Sequence, residues 1–392
     1  MARKKADWYP DGILLALCGA LLLSGILILA SVSASFSLQK TGTTFYYLSH
    51  QLFYGLLPGL AFAAVAFVIP LEKMCAWSVY LLLGSLLLMS LVFIPGIGTS
   101  SGGASRWISV GPITSFQPSE ILKLACILYV ASWLSSKGKY PSKQKAVASR
   151  NARRGEKKFT KIFSQLQHTF LPFIAIMSVI ALFLLMQKNL STLGVIVVVG
   201  LSMYFLSGAP FWHSLAMLFP GMILAGLAVL LTPFRMQRLA AFLNSSFDPL
   251  GQGYQAKQAI IGIGSGGLTG IGLGLSYQKF GLLPEPISDS IFAIFAEETG
   301  LIGALLLIGL YLAFSWRTFV IARRAPDQFS QLVAMGIGIW ISFQAFVNMG
   351  SMAGVVPLTG IPLPFISYGG SSLALSIAAL GVLLNISRTR KV

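Results

Sequence analysis

Apolar runs of about 20 residues recur from one end of this 392-residue chain to the other, separated by short polar segments. Each run has the length of a membrane-crossing helix. Ten fit, at 12–34, 48–70, 76–96, 118–136, 169–187, 191–208, 213–232, 288–314, 331–350 and 367–386. The pattern predicts an all-α polytopic membrane protein with ten transmembrane helices, forming a single domain across residues 1–392. Gly and Pro inside several runs are acceptable there, because neighbouring helices can satisfy freed backbone groups. The first run follows Arg3-Lys4-Lys5 and passes a Ser-Val-Ser-Ala stretch at 31–34, as a signal peptide would. It is too long for that and many runs follow it, so it is read as a retained first helix.

Composition agrees. The chain is 55% hydrophobic and 10% charged, more apolar surface than a soluble fold of this size can bury. The net charge of +17 would suit nucleic acid, but the basic residues sit in short loops between apolar runs. With the N-terminus inside, 20 of the 28 Lys and Arg fall on cytoplasmic segments, as the positive-inside rule expects. The other eight are Lys40, Arg106, Lys123, Lys188, Arg235, Arg238, Lys257 and Lys279. Both termini are therefore placed in the cytoplasm, and nucleic acid is not an expected partner. Residues 137–167 form a basic cytoplasmic loop, read as a topology determinant with affinity for anionic lipid. Residues 233–287 become a large extracellular loop between helices 7 and 8, with the Gly-rich, apolar character of an ordered functional segment. Cys18, Cys75 and Cys126 are widely spaced in or beside apolar stretches and imply neither a disulfide framework nor a metal knuckle. His50, His168 and His213 lie far apart near helix ends and are read as interfacial.

Candidate chemistry gathers at "LLPEPISDSIFAIFAEETG", residues 282–300, which holds Asp289, Glu297 and Glu298 as well as Glu285. Charge is costly in an apolar helix, so these acids suggest function. On the same side lie Arg106, Glu120 and Lys123, and the large loop adds Arg235, Arg238, Lys257 and Lys279. Cations suit an anionic group such as a pyrophosphate, and a carboxylate suits general-base work. Together they fit group transfer from a lipid-linked pyrophosphate. Diphosphate leaves readily, so a single base can suffice where glycoside hydrolysis uses a carboxylate pair. On composition and spacing alone, a transporter using these acids as a proton or substrate path stands ahead of an enzyme. Glu297 lies about 80° around the helix from Asp289 and Glu298 roughly opposite, leaving structural and proton-relay roles open for both. Glu120 and Lys123, three apart, are placed either to pair on one helix face or to act. The "GIGSGGLTGIGLG" run at 262–274 lacks the Gly-Lys-Ser/Thr ending of a phosphate loop and reads as tight turns and close backbone packing.

Three longer motifs carry a resemblance that spans nearly the whole chain: "SRWISVGPITSFQPSEILKLA" at 105–125, "DPLGQGYQAKQAIIGIGSGGLTGIGLGLSYQKFGLLPEPISD" at 248–289 and "VPLTGIPLPFISYGGSSL" at 356–373. In this order on a ten-span chain they resemble the SEDS family (shape, elongation, division and sporulation). "SYQKF" at 276–280 and "LLNIS" at 383–387 look more like its FtsW and SpoVE branch than its RodA branch. The resemblance implies a peptidoglycan glycosyltransferase that polymerises lipid II on the outer face of the bacterial cytoplasmic membrane, at the division septum. Its partners would be lipid II, the lipid-linked glycan strand, a class B penicillin-binding protein and other divisome proteins. The family's Pro-Glu-x-x-x-Asp spacing falls on Pro284, Glu285 and Asp289, so Asp289 would be the general base of an inverting transfer. Arg106, Lys123, Glu120, Arg235, Arg238, Lys257, Lys279, Glu285 and Ser371 would line the substrate and pyrophosphate site. No ligand cluster demands a metal, and a divalent cation (Mg or Mn) is left open. Two further readings stand beside this one: a flippase for lipid-linked precursors, and a scaffold that recruits the transpeptidase. Pro118, Pro362 and Pro364 are expected to shape helix entry, and Gly369 and Gly370 to allow close helix packing. The chain departs from the family at Ile287-Ser288-Asp289-Ser290, and at Gln187-Lys188-Asn189, where an acid is lost and a cation gained.

Overall fold

A computed structural model describes residues 9–101, 104–110, 114–137, 169–209, 211–230, 232–243 and 251–389. The basic loop at 137–167, apart from Lys137, His168 and the tip of the large loop at 244–250 lie outside the described residues. In chain order the helices are α1 (Gly12–Thr41), α2 (Tyr46–Val68), α3 (Leu71–Leu91), α4 (Pro118–Lys137), α5 (Leu171–Met186), α6 (Leu190–Leu206), α7 (Phe211–Leu230), α8 (Pro233–Leu243), α9 (Gln252–Ser265), α10 (Ile291–Arg324), α11 (Gln328–Met352) and α12 (Gly370–Arg388). Seven of them, α1 to α4 and α10 to α12, are long and apolar enough to cross a membrane, and α5 and α6 are shorter apolar helices. This is the architecture of a polytopic membrane protein. With α7, these helices overlap in sequence the ten stretches expected to span.

Burial sorts the helices. In the most apolar 18-residue stretch of α12, 83% of positions are buried, against 17% in α2. So α11 and α12 form the centre, and α1 to α3 present apolar faces outward, as lipid-facing helices do. At one end of the bundle Asp11 caps α1, its carboxylate accepting from Leu14 N at 3.0 Å and from Arg317 Nε at 2.8 Å.

The opposite end corrects the all-α expectation. There β1 (Gly98–Ser101), β2 (Ala104–Val110) and β3 (Thr114–Phe116) form a three-stranded antiparallel sheet in the order β1-β2-β3. Thr99 faces Trp107, and Ile108 faces Phe116. The segment is too short and polar to span, and its aromatic and β-branched residues favour strands. This sheet end also carries α8 and α9.

The expected span 288–314 shifts to 291–324, so Asp289 lies in the turn before α10 rather than inside it. Within α10 the helix breaks at Gly300, whose φ of 68° only glycine adopts readily. The glycine-rich run repairs the break. Ile271 N and Gly272 N donate to the carbonyls of Glu297 and Glu298 at 3.1 Å each, and Leu301 N and Ile302 N donate to Gly267 O and Leu268 O at 2.9 and 3.2 Å. An interrupted helix among apolar spans must have its backbone groups satisfied by protein. The close approach requires missing side chains: a Cβ on Gly270 would stand 2.1 Å from Glu298 O.

Candidate active site

The Asp289 turn is held from several directions. Its own residues fold back on Glu285 and Pro284: Ser288 N and Ser290 N donate to Glu285 O at 3.3 and 3.2 Å, and Ser290 Oγ donates to Pro284 O at 2.9 Å. From α9, Gln255 Nε2 donates to Ser290 Oγ at 3.1 Å. From α11, Asn348 Nδ2 reaches both Asp289 O at 2.9 Å and Ile361 O at 2.7 Å. The loop between α11 and α12 closes the other side, with Ser367 Oγ donating to Ser288 O at 2.6 Å and Tyr368 N to Ile287 O at 2.8 Å. The backbone at Asp289 is therefore fixed, which leaves the carboxyl as the free part of the residue.

That carboxyl is half-buried beside two arginines. A Cβ on Gly360 would stand 3.2 Å from Asp289 Oδ2 and 3.6 Å from Arg238 Nη1, so both side chains reach one open face of Gly360. Arg238, on α8, also donates from Nη1 to Leu358 O at 3.3 Å. Arg106, on β2, is held by the carbonyls of Gln187 at 3.2 Å and Lys188 at 2.6 Å. Burial raises the Asp289 pKa from 3.8 to about 6, the Glu285 charge adds to the rise, and Arg238 and Arg106 pull against it. Burial lowers Arg238 from its usual range, and the Asp289 charge opposes that. A carboxylate near 6 is ionised at neutral pH yet can still take a proton.

The remaining residues expected at the site divide. Glu285 is exposed and accepts from Ser288 Oγ at 2.9 Å. Ser371 accepts from Gln117 N at 3.3 Å and so ties the segment before α4 to the start of α12. Lys123 and Glu120 pair at 2.9 Å, both buried, and Lys123 also donates to Gln344 Oε1 at 3.0 Å. Lys279 is buried against Glu298 at 3.2 Å and also donates to Gly274 O. Lys257 is exposed on α9, and the side chain of Arg235 lies outside the described residues. Glu297 accepts from Ser265 Oγ at 3.3 Å, from Gln278 N at 3.4 Å and from Ser276 Oγ, while Glu298 also accepts from Ser31 Oγ at 2.6 Å. These two acids thus anchor the glycine-rich segment, and their hydrogen bonds do not extend to the Asp289 turn.

Lys188, at a departure from the family pattern, presents its carbonyl to Arg106, and Asn189 caps α6 by accepting from Thr192 N at 3.3 Å. His50 pairs with Tyr368 and His213 with Tyr204; the three cysteines are free. The sequence reading missed Asn348, Ser367, Tyr368 and Gln255. For Asn348 a signal was present, since it and Gln344 are amide side chains one turn apart in an apolar helix. Among the described residues no group of three His, Cys, Asp or Glu gathers that could hold a metal ion.

Fold and site together define a polytopic membrane protein with a titratable carboxylate set among arginines at one end of its helical bundle. A family model described as a cell cycle protein, covering FtsW, RodA and SpoVE, matches residues 12–392. The chain belongs to the FtsW/RodA/SpoVE family. It is 39% identical to stage V sporulation protein E of Bacillus subtilis, over 99% of each chain. It is also 39% identical to a probable peptidoglycan glycosyltransferase FtsW of Thioalkalivibrio sulfidiphilus, over 94% of this chain and 87% of the relative. Among solved structures it is similar to a chain of a peptidoglycan synthase complex that coordinates polymerization and crosslinking (TM-score 0.73, 27% identity, 98% and 99% of the two chains). The rod shape determining protein RodA of Thermus thermophilus is also similar (TM-score 0.67, 26% identity, 98% of each chain).

Proposed function

We propose that this protein is a peptidoglycan glycosyltransferase that polymerises lipid II, with Asp289 as its general base. The observation that carries the mechanism is the half-buried Asp289 carboxyl, raised to about 6 and sharing the face of Gly360 with Arg238. The names of the relatives support the activity. Asp289 takes the proton from the 4-hydroxyl of the incoming sugar. That oxygen attacks the anomeric carbon of the growing strand from the face opposite the leaving group. The C1–O bond to pyrophosphate breaks, its electron pair leaves with undecaprenyl pyrophosphate, and the configuration inverts. Arg238 and Arg106 stabilise the charge that builds on the pyrophosphate. The sequence left a divalent cation open, but the charges beside the Asp289 carboxylate are the guanidiniums of Arg238 and Arg106. They do not make a resident cage, and no step runs through one.

In this reading ten helices cross the cytoplasmic membrane of a bacterium with both termini inside. The sheet end and the segment 233–287 face outward, where the substrates' sugars lie. A class B penicillin-binding protein is the crosslinking partner, and similarity to a chain of a peptidoglycan synthase complex supports that. Other divisome proteins as partners and a septal location belong to the same reading, and the similarity to FtsW relatives supports them.

The test is a reconstituted reaction with labelled lipid II and a cognate class B partner, comparing wild type with Asp289→Asn at matched folding and complex yield. Polymer from wild type alone supports the base. Polymer from both removes Asp289 from that role, and lipid II movement without polymer from either favours a transporter.

A further inference from the structure

We propose that Tyr46, Tyr47, His50, Tyr54 and Tyr368 form a saccharide subsite that holds a sugar ring of the glycan strand beside Asp289, an assignment that rests on the polymerase reading above. Tyr46, His50 and Tyr54 are spaced four apart and so share one face of α2. Their rings form a chain, with Tyr46 to His50 at 6.2 Å and His50 to Tyr54 at 4.7 Å. Tyr368, from the loop before α12, inserts against it, its ring 5.7 Å from His50 and 5.1 Å from Tyr47. Tyr54 lies in a π-helical turn, Leu52–Leu56, a feature that often marks functional positions in helices.

Aromatic residues near a helix end are often only a membrane-interface belt. A belt needs nothing from the active site, and this cluster is bonded to it. The Tyr368 hydroxyl pairs with His50 Nδ1 at 2.9 Å, and Tyr368 N donates to Ile287 O, two residues from Asp289. Gln51, between the ring-bearing positions, donates to Ser367 O at 3.2 Å and accepts from Gly369 N at 2.9 Å. Tyr47 lies within electrostatic range of Glu285.

The occupant follows from the chemistry of the surface. Tyr46 and Tyr54 are 40% and 44% exposed. Among the described residues no hydrogen bond engages the hydroxyls of Tyr46, Tyr47 or Tyr54. Ring faces with open hydroxyls and a nearby carboxylate match a pyranose, which has apolar C–H faces and a polar rim. A polyprenyl tail has no use for the hydroxyls. A pyrophosphate would seek cations, and those nearest Asp289 are Arg238 and Arg106. The subsite thus places a sugar of the strand where its neighbour reaches the base.

The experiment uses the full chain in detergent with chitotetraose, a soluble β-1,4 oligomer of N-acetylglucosamine, read by saturation-transfer NMR. Wild type and Asp289→Asn should both give the transfer signal, and Tyr46→Leu/Tyr54→Leu should reduce it about fivefold or more. Leucine keeps the surface apolar but removes the rings, so a mere belt role would show as lost membrane yield and not as lost saccharide binding at matched yield. In the lipid II reaction the same double variant should make strands several-fold shorter at matched yield. An equal signal from the double variant, or none from wild type, overturns the subsite, as does a variant that loses membrane yield alone. If wild type gives the signal but no polymer from lipid II, the polymerase reading fails and the saccharide site stands.

Discussion

The acid limb of the pH–rate profile reads the environment of Asp289 directly. Protonated Asp289 cannot accept the hydroxyl proton, so the rate should follow its ionised fraction. With a pKa of about 6, roughly 97% is ionised at pH 7.5, half at pH 6 and about a tenth at pH 5. An unperturbed carboxyl at 3.8 would hold the rate flat across that range. Burial is the largest cause and is hard to alter cleanly, but the charges can be changed one at a time. Glu285→Gln removes a repulsion that raises the pKa, so its midpoint should move to lower pH, leaving the variant relatively more active at pH 5. Arg238→Gln removes an attraction, so its midpoint should move up. Its plateau should also fall, because the proposed mechanism has Arg238 stabilise the departing pyrophosphate. The assay is initial polymerisation of lipid II by the reconstituted complex between pH 4.5 and 8.5, with folding checked at each end. A wild-type profile flat down to pH 5, or a Glu285→Gln midpoint moving upward, would refute the reasoning.

Asp289→Asn should be more stable than wild type at pH 7.5. The folded pKa of this acid is raised, so its stability is fully present below 3.8 and is lost as pH rises through about 6. Asparagine escapes that loss, worth up to about 3 kcal/mol, and thermal melts at pH 7.5 and pH 4 should show the gain only at the higher pH. Gly270→Ala should lower the melting temperature sharply, since its Cβ would meet Glu298 O at 2.1 Å; an unchanged melt would mean the glycine segment does not bridge the break in α10. Lys279→Met should destabilise by about 3–5 kcal/mol by leaving Glu298 unpaired in a buried site, and Lys279→Met/Glu298→Gln should recover much of it; chemical denaturation in detergent measures both. Arg106→Ala should lower kcat more than it raises the KM for lipid II, if its charge acts as the pyrophosphate departs.

The seven long apolar helices were legible because lipid imposes a length and an apolarity that appear directly in sequence. Asp289, Arg106 and Arg238 could be nominated because charge is rare in this chain. Three features were hidden. The sheet at 98–116 is a local solution too short to register against twenty-residue runs. The break at Gly300 looks like one more glycine in an apolar helix, and only the contact with residues 267–272 reveals it. The sorting of the cations was also invisible, because Lys279 meets Glu298 only through the fold of the glycine-rich segment and Lys123 meets Gln344 across a long stretch of chain. Helical spacing placed Glu297 near the Asp289 face, but Asp289 precedes the helix, so that angle had no bearing on it.

Residues 282–300 hold four acids; Glu285 is exposed, and the other three differ in what surrounds the charge. Glu298 has a buried ammonium at 3.2 Å and Glu297 has donors from three residues, so both carboxylates are satisfied within the protein and hold the loop against the broken helix. Asp289 is treated otherwise. Its backbone is fixed by Asn348 and its neighbours by Ser367, Tyr368 and Gln255, yet its carboxyl is left half-buried with a repelling Glu285 nearby. A structural carboxylate gains from complete satisfaction, whereas a base must keep some of its proton affinity. The loop anchored by Glu297 and Glu298 leads directly into the Asp289 turn. On the proposed mechanism the two buried acids serve by position, holding the segment that carries Asp289.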